Sequence, residues 1–289
     1  MTPRVGWDQA ELIRLTDVQP EGAGRYVAPA HGPAGRNVVE AGQLLAGVVV
    51  AAAKEVPDQR VTSKSMIFAR AATHDAPVTV ELDALRAGRT FTTSAARVLQ
   101  HGSLRCAGIV LTDAGAPDLV RLSAPMPDVV PPGRLRSLDR PDMTVDGRDV
   151  RVVDDAYDPD PDRVGPPELF VWTRFRDAPD AGHLHTALLT QPVGHWTIAA
   201  ALRPHAGFGE AMAHVSVSAG ITMATIAYHE QVDVTQWLLY ATSVIHSGGG
   251  TAQSESRVHT EDGRLVASYT VHAMLRTLAP GLAASRTLL

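Results

Sequence analysis

The apolar residues of this chain are unevenly spread, and their spacing changes along it. Residues 38–56, VVEAGQLLAGVVVAAAKEV, form the most apolar stretch and are apolar nearly all round between Gln43 and Ala53. Three valines in a row, Val48 to Val50, suit a strand, but the length exceeds an ordinary strand and predicts a helix. A helix that is apolar on every side is buried on every side. Period-2 alternation follows. Residues 77–83 (PVTVELD), 90–98 (TFTTSAARV) and 104–112 (LRCAGIVLT) carry the pattern of half-buried strands. Arg86-Ala87-Gly88-Arg89 and Gln100-His101-Gly102-Ser103 read as the turns between them. One buried helix followed by an antiparallel meander is an α+β plan.

Prolines crowd the segment from Ser123 to Pro141. Proline cannot donate to a ladder and stiffens extended chain, so this segment reads as a linker. The expected organisation is a first unit over 1–122, a Pro-rich linker over 123–143 and a second unit over 144–289. A second Pro/Asp-rich stretch, Asp154 to Pro167, is expected to be a surface loop. The two units echo each other. Arg97-Val98, the Gly102 turn, Leu104 and Ala107 recur as Arg257-Val258, the Gly263 turn, Leu265 and Ala267, displaced by about 160 residues with one insertion. Residues 185–202, HTALLTQPVGHWTIAAAL, match the first helix in position and end in the same Ala-rich way. Elements that keep their order and spacing signal a duplication.

Composition narrows the functional classes. Over 289 residues, 26 basic side chains stand against 31 acidic ones, a net charge of −5. That balance gives no electrostatic reason for a nucleic-acid or anionic-membrane partner. One cysteine, Cys106, allows no intrachain disulfide and no Cys-rich zinc site. The first residues place Asp8 and Glu11 ahead of any long apolar run, unlike a secretory signal. No run of roughly 18 apolar residues occurs that could span a bilayer. A soluble, cytoplasmic globular protein is expected.

The residues then resemble one family over nearly the whole chain. In the first half the matches are Ala41-Gly42-Gln43, Arg86 through Phe91 and Gln100-His101-Gly102. In the second they are Leu202-Arg203-Pro204-His205, Trp237 through Tyr240 and Asp262 through Ser268. In their order and separations these are similar to the acyl-CoA thioesterase II (TesB-like) family. The resemblance implies a double hotdog, two tandem units that each wrap an antiparallel sheet round a long helix. It also implies an acyl-thioester substrate, on CoA or on an acyl carrier, no cofactor and a homo-oligomer. The family places an Asp at the start of the second-half helix, a Thr on a following strand and a Gln on a later one. Carried over, these positions fall on Gly194, Ile221 and Val271.

Substitutes lie nearby. Glu40 immediately precedes Ala41-Gly42-Gln43, the counterpart in the first half of the second-half Asp position. Other hotdog thioesterases work with one carboxylate near this helix, which gives Glu40 a role as general base; the plain alternative is a solvated carboxylate favoured by the helix dipole. Gln43 matches the Gln of the family's Gly-Gly-Gln motif, and it either orients a carbonyl or water or satisfies buried backbone. Gln191 and His195 flank Gly194. A His there can act as base near neutral pH, or be a hydrogen-bonded core residue. Thr222 and His272 each stand one residue from a family position, but a one-residue shift on a strand turns the side chain to the opposite face. Glu40, Gln43, His195, Thr222 and His272 are thus the catalytic candidates, with Ala41, Gly42, Gln191 and Gly194 at the substrate.

Other patterns fail on chemistry. Thr225, His229 and Cys106 read as ordinary strand residues. Asp158 to Asp162 alternates carboxylates like a calcium loop, yet Arg163 occupies the required glycine position and Leu169 the bidentate acidic one. His183, His185 and His195 have no accompanying carboxylate and no zinc spacing, so no metal is expected. Neither a phosphate loop nor a GxSxG elbow occurs. The functional expectation is hydrolysis of an acyl thioester at an atypical site. The alternatives are a hotdog lyase, isomerase or cyclase on an acyl-thioester or polyketide-like substrate, and a non-catalytic acyl-CoA-binding protein.

Overall fold

A computed structural model describes residues 7–31, 37–138 and 145–278. The ends of the expected units and the last part of the expected linker lie outside these residues. The chain opens with β1 (Trp7–Asp8) and α1 (Gln9–Thr16), where the Asp8 carboxylate accepts from the Glu11 N–H at 2.6 Å and caps the helix. The hairpin β2 (Gln19–Gly22) and β3 (Arg25–Ala28) follows, then α2 (Ala41–Glu55). After it come β4 (Arg60–Phe68), β5 (Val78–Ala87), β6 (Phe91–Gln100) and β7 (Ser103–Asp113).

The second half repeats that order. It begins with β8 (Val145–Asp146), β9 (Arg148–Val152) and β10 (Glu168–Phe175). Next are α3 (Gly182–Thr190), a 3₁₀ turn over Gln191–Gly194 and α4 (His195–Leu202). The strands β11 (Val217–Tyr228), β12 (Leu238–Gly248), β13 (Thr251–Thr260) and β14 (Leu265–Thr277) complete it. Apart from a short parallel pair of β1 with β8, the strands form one twelve-stranded sheet, ordered β2-β3-β5-β6-β7-β4-β11-β14-β13-β12-β10-β9.

The halves join where β4 pairs antiparallel with β11, placing Ser65 opposite Thr225 with their hydroxyls 2.8 Å apart. These two residues are themselves related by the displacement of the sequence repeat, so the seam lies on the repeat's own symmetry. Inward side chains of the first half (Met66, Val80, Ala96, Val98, Val110) and the apolar flanks of α2 (Leu45, Val48, Val49, Ala51) share one buried core. Each fully buried aliphatic side chain there contributes roughly 1.5–3 kcal/mol. The outer face of the second half is covered too. Linker residues Met126, Val129 and Leu135 pack on Trp172 and Leu239, and the Trp172 indole donates to the Val130 carbonyl at 3.0 Å.

The α+β plan holds, and α2, β5, β6 and β7 stand where the pattern places them. Two details differ. Strand β5 continues through Ala87, so the turn after it is shorter than expected. The second-half helix over 185–202 is broken, because Pro192 removes a donor and its ring crowds the preceding turn, leaving a 3₁₀ turn between α3 and α4. Among the described residues no helix is long and apolar enough to cross a membrane.

Candidate active site

The break in the second-half helix and the start of α2 meet. Glu40 caps α2 in extended geometry, its carbonyl accepting the Gln43 N–H at 3.1 Å, but its side chain makes no hydrogen bond to its own helix. The carboxylate turns instead to the other half of the molecule. Oε2 accepts from the Gln191 side-chain amide at 2.7 Å and lies 3.4 Å from His195 Nε2. Two glycines permit this closeness. A Cβ on Gly42 would stand 1.7 Å from the Gln191 carbonyl oxygen, so the first turn of α2 rests directly on the 3₁₀ turn. A Cβ on Gly194, which caps α4, would stand 1.9 Å from Ile221 Cδ1. Gly194 and Ile221 therefore touch each other, and the Ile221 end methyl occupies the space beside the helix start.

The polar group is sheltered without being sealed. Glu40 keeps 31% of its side chain exposed and His195 19%, while Gln191 is buried. The His195 ring packs edge-on against Trp196, centroids 5.8 Å apart, and Trp196 in turn meets Tyr157 at 6.0 Å. With Nε2 facing Glu40, Nδ1 of His195 is buried and has no hydrogen-bond partner among the described residues. A carboxylate holding one imidazole nitrogen leaves the other as a proton acceptor.

Sequence reasoning missed Arg148, whose buried guanidinium donates from Nη1 to Gln191 Oε1 at 3.0 Å. Burial lowers its pKa from the usual arginine value, opposed by the charge of Glu40. Arg148 opens a strand of alternating polarity, where an inward arginine looks like any solvated one. Only the buried Val150 and Val152 in step with it could have hinted at its face.

The other candidates lie apart from this group. Gln43 is buried and donates to the Pro29 carbonyl at 3.3 Å, fastening α2 to the chain leaving β3. Ala41 is the first residue of α2. Thr222 is the extra residue of a bulge between β11 and β14, and its hydroxyl donates to the His272 carbonyl at 3.2 Å. Both side chains are exposed, whereas Val271 beside His272 is fully buried. Thr222 and His272 thus stand away from the inner face that carries the helices. Two clefts, one bounded by Asp158, Arg163, Arg203 and Glu210 and a shallow groove of about 520 Å³ bounded by Arg174, Trp237 and Asp262, include none of the candidates. Cys106 is buried with its thiol pushed up to about 12 by burial, which makes it inert at neutral pH. Among the described residues no cluster of three or more His, Cys, Asp or Glu could hold a metal ion.

The arrangement can therefore perform proton transfer between a carboxylate, an imidazole and a bound water, beside a helix N-terminus able to polarise a carbonyl. Comparison with known proteins identifies the family. Residues 29–113 match the sequence profile of the acyl-CoA thioesterase N-terminal domain and residues 121–274 that of the acyl-CoA thioesterase C-terminal domain. The fold is shared with an acyl-CoA thioesterase II, TesB2, from Mycobacterium marinum, with a TM-score of 0.76, 22% identity and coverage of 93% of this chain and 98% of that one. A tesB protein from Mycobacterium avium subspecies paratuberculosis gives 0.75 at 19% identity, covering 92% and 99%. A protein of unknown function with a hot dog fold from Alicyclobacillus acidocaldarius gives 0.72 at 18%, covering 93% and 98%. No curated protein matches the chain.

Proposed function

The chain belongs to the acyl-CoA thioesterase family, and on that premise we propose that it hydrolyses an acyl-CoA thioester where α2 meets the 3₁₀ turn, with Glu40 as the base. One observation carries the placement: a single carboxylate, turned away from its own helix, reaches the side chains of Gln191 and His195 in the other half. Glu40 takes a proton from water as the oxygen attacks the thioester carbonyl, and the first-turn amides of α2 hold the developing oxyanion. The proton then passes to the departing sulfur, giving the carboxylic acid and the free thiol. Gln191 orients Glu40, and His195 Nδ1 is a second place for the proton.

The unit boundaries at 122 and 144, a homo-oligomeric state and a cytoplasmic location without nucleic-acid or membrane partners belong to the same reading. The repeat, the charge balance and the single cysteine support it. The test uses purified protein, a panel of acyl-CoAs of different chain length and a thiol-reactive dye. Wild type releases thiol, and Glu40→Gln lowers kcat by about 10²–10⁴-fold, the usual share of a general base. No release above background for any chain length ends the hydrolytic reading. Full activity in Glu40→Gln moves the base elsewhere.

A further inference from the structure

Resting on that reading of the site, we propose that Arg148 is a positioning residue that aims the Glu40 carboxylate by fixing which way round the Gln191 amide lies. An amide side chain has two ends of nearly equal shape and opposite hydrogen-bonding sense. Left to itself beside a carboxylate, Gln191 could rotate, and its oxygen would then face the oxygens of Glu40. Arg148 removes that choice. A guanidinium only donates, so its contact at 3.0 Å requires the Gln191 oxygen on its side. The amide NH₂ is thereby presented to Glu40 Oε2 at 2.7 Å, and the same oxygen lies 3.4 Å from His195 Nε2.

The chain of contacts crosses four elements. Arg148 starts β9 and is held in register opposite Phe175 of β10. Gln191 sits at the end of α3, Glu40 caps α2 and His195 starts α4. Gln191 is buried and Arg148 is half-buried, with its Nε shielded from solvent. The hold of Arg148 on the carboxylate's geometry runs through the amide.

A double-mutant cycle tests this dependence. Arg148→Met lowers kcat by about 10–100-fold, the cost of an ångström-scale misplacement, with KM changed less than about twofold. Arg148→Lys, which keeps a donor, recovers part of the loss. Arg148→Met combined with Gln191→Leu loses clearly less than the sum of the two single losses, because the arginine works through that amide. Additive losses, or a kcat unchanged in Arg148→Met, overturn the proposal.

A second readout needs no turnover. In protein labelled with ¹⁵N in its histidine rings, with the His195 signals assigned by their loss in His195→Gln, wild type shows the Nε2-protonated tautomer facing Glu40. Arg148→Met, or Arg148→Lys should the methionine variant fail to fold, loses part of that preference. Identical ring shifts in wild type and the folded variant overturn the proposal even where no thioester is cleaved. A wild type that releases no thiol but shows the shift sinks the hydrolytic reading alone.

Discussion

At residue 42 a single methyl group decides whether two helices can touch. Its nearest neighbour would be the Gln191 backbone oxygen, which cannot move without the 3₁₀ turn. Gly42→Ala is expected to cost about 1–3 kcal/mol, as overpacked cores do. Gly194→Ala meets only the tip of Ile221, which can rotate, so its cost in urea denaturation falls below that of Gly42→Ala. Lys64 gives a second prediction at this scale. It is fully buried on β4, its amine donating to the Leu45 carbonyl, and burial holds its pKa well below the ordinary lysine value. The unfolded chain then binds a proton that the folded chain does not. Stability therefore rises with pH towards the free lysine value near 10.4, by up to about 1.4 kcal/mol per pH unit from this one group. Lys64→Met is expected to gain stability over wild type at pH 7 and to lose that advantage by pH 10, as read from denaturation curves at both. A difference independent of pH would show Lys64 charged in the core. Single residues such as Lys64 and Arg148 were invisible in sequence because nothing in a strand's alternation says that a charged side chain has turned inward.

The elements were more legible, and the reason is period. Helix α2, the first part of β5 and strand β6 carry unbroken apolar patterns because each keeps one burial rule over that length. The second-half helix has two, since Pro192 divides it, and β11 changes face at the Thr222 bulge. There the pattern shifts phase, and a candidate chosen one residue from a family position ends up on the outside. The hairpin between β6 and β7 illustrates the readable kind. His101 and Gly102 both have positive φ, 52° and 67°, in a two-residue turn between paired Gln100 and Ser103. That geometry favours Asn-Gly. His101→Asn is expected to raise stability by about 0.5 kcal/mol, since the contact it removes with Asp75 is exposed and contributes little. Thermal melts showing a loss instead would mean that the Asp75 contact matters more than the backbone.

At the scale of the molecule, the duplication was readable but the seam was not. Nothing in residues 60–68 announces that β4 pairs with β7 on one side and with β11 on the other. The consequence is measurable. The seam and the packing of α2 on α3 hold the halves together. Leu119, Val120 and Leu122 are by contrast almost fully exposed, so a protease site inserted near them is expected to cut readily. The nicked protein should elute from a sizing column as one species at the position of the intact chain. Two separated fragments would mean that the covalent connection, not the sheet, keeps the halves joined.

The crossing of Glu40 to Gln191 and His195 has a further bearing on descent. A tandem whose copies each kept their own workplace could shed one, or overwrite it with the other, and survive. Here one copy brings the carboxylate and the other brings what steadies it. Recombination that made the twins identical again would leave either two carboxylates or none, and on the proposed site neither outcome would work.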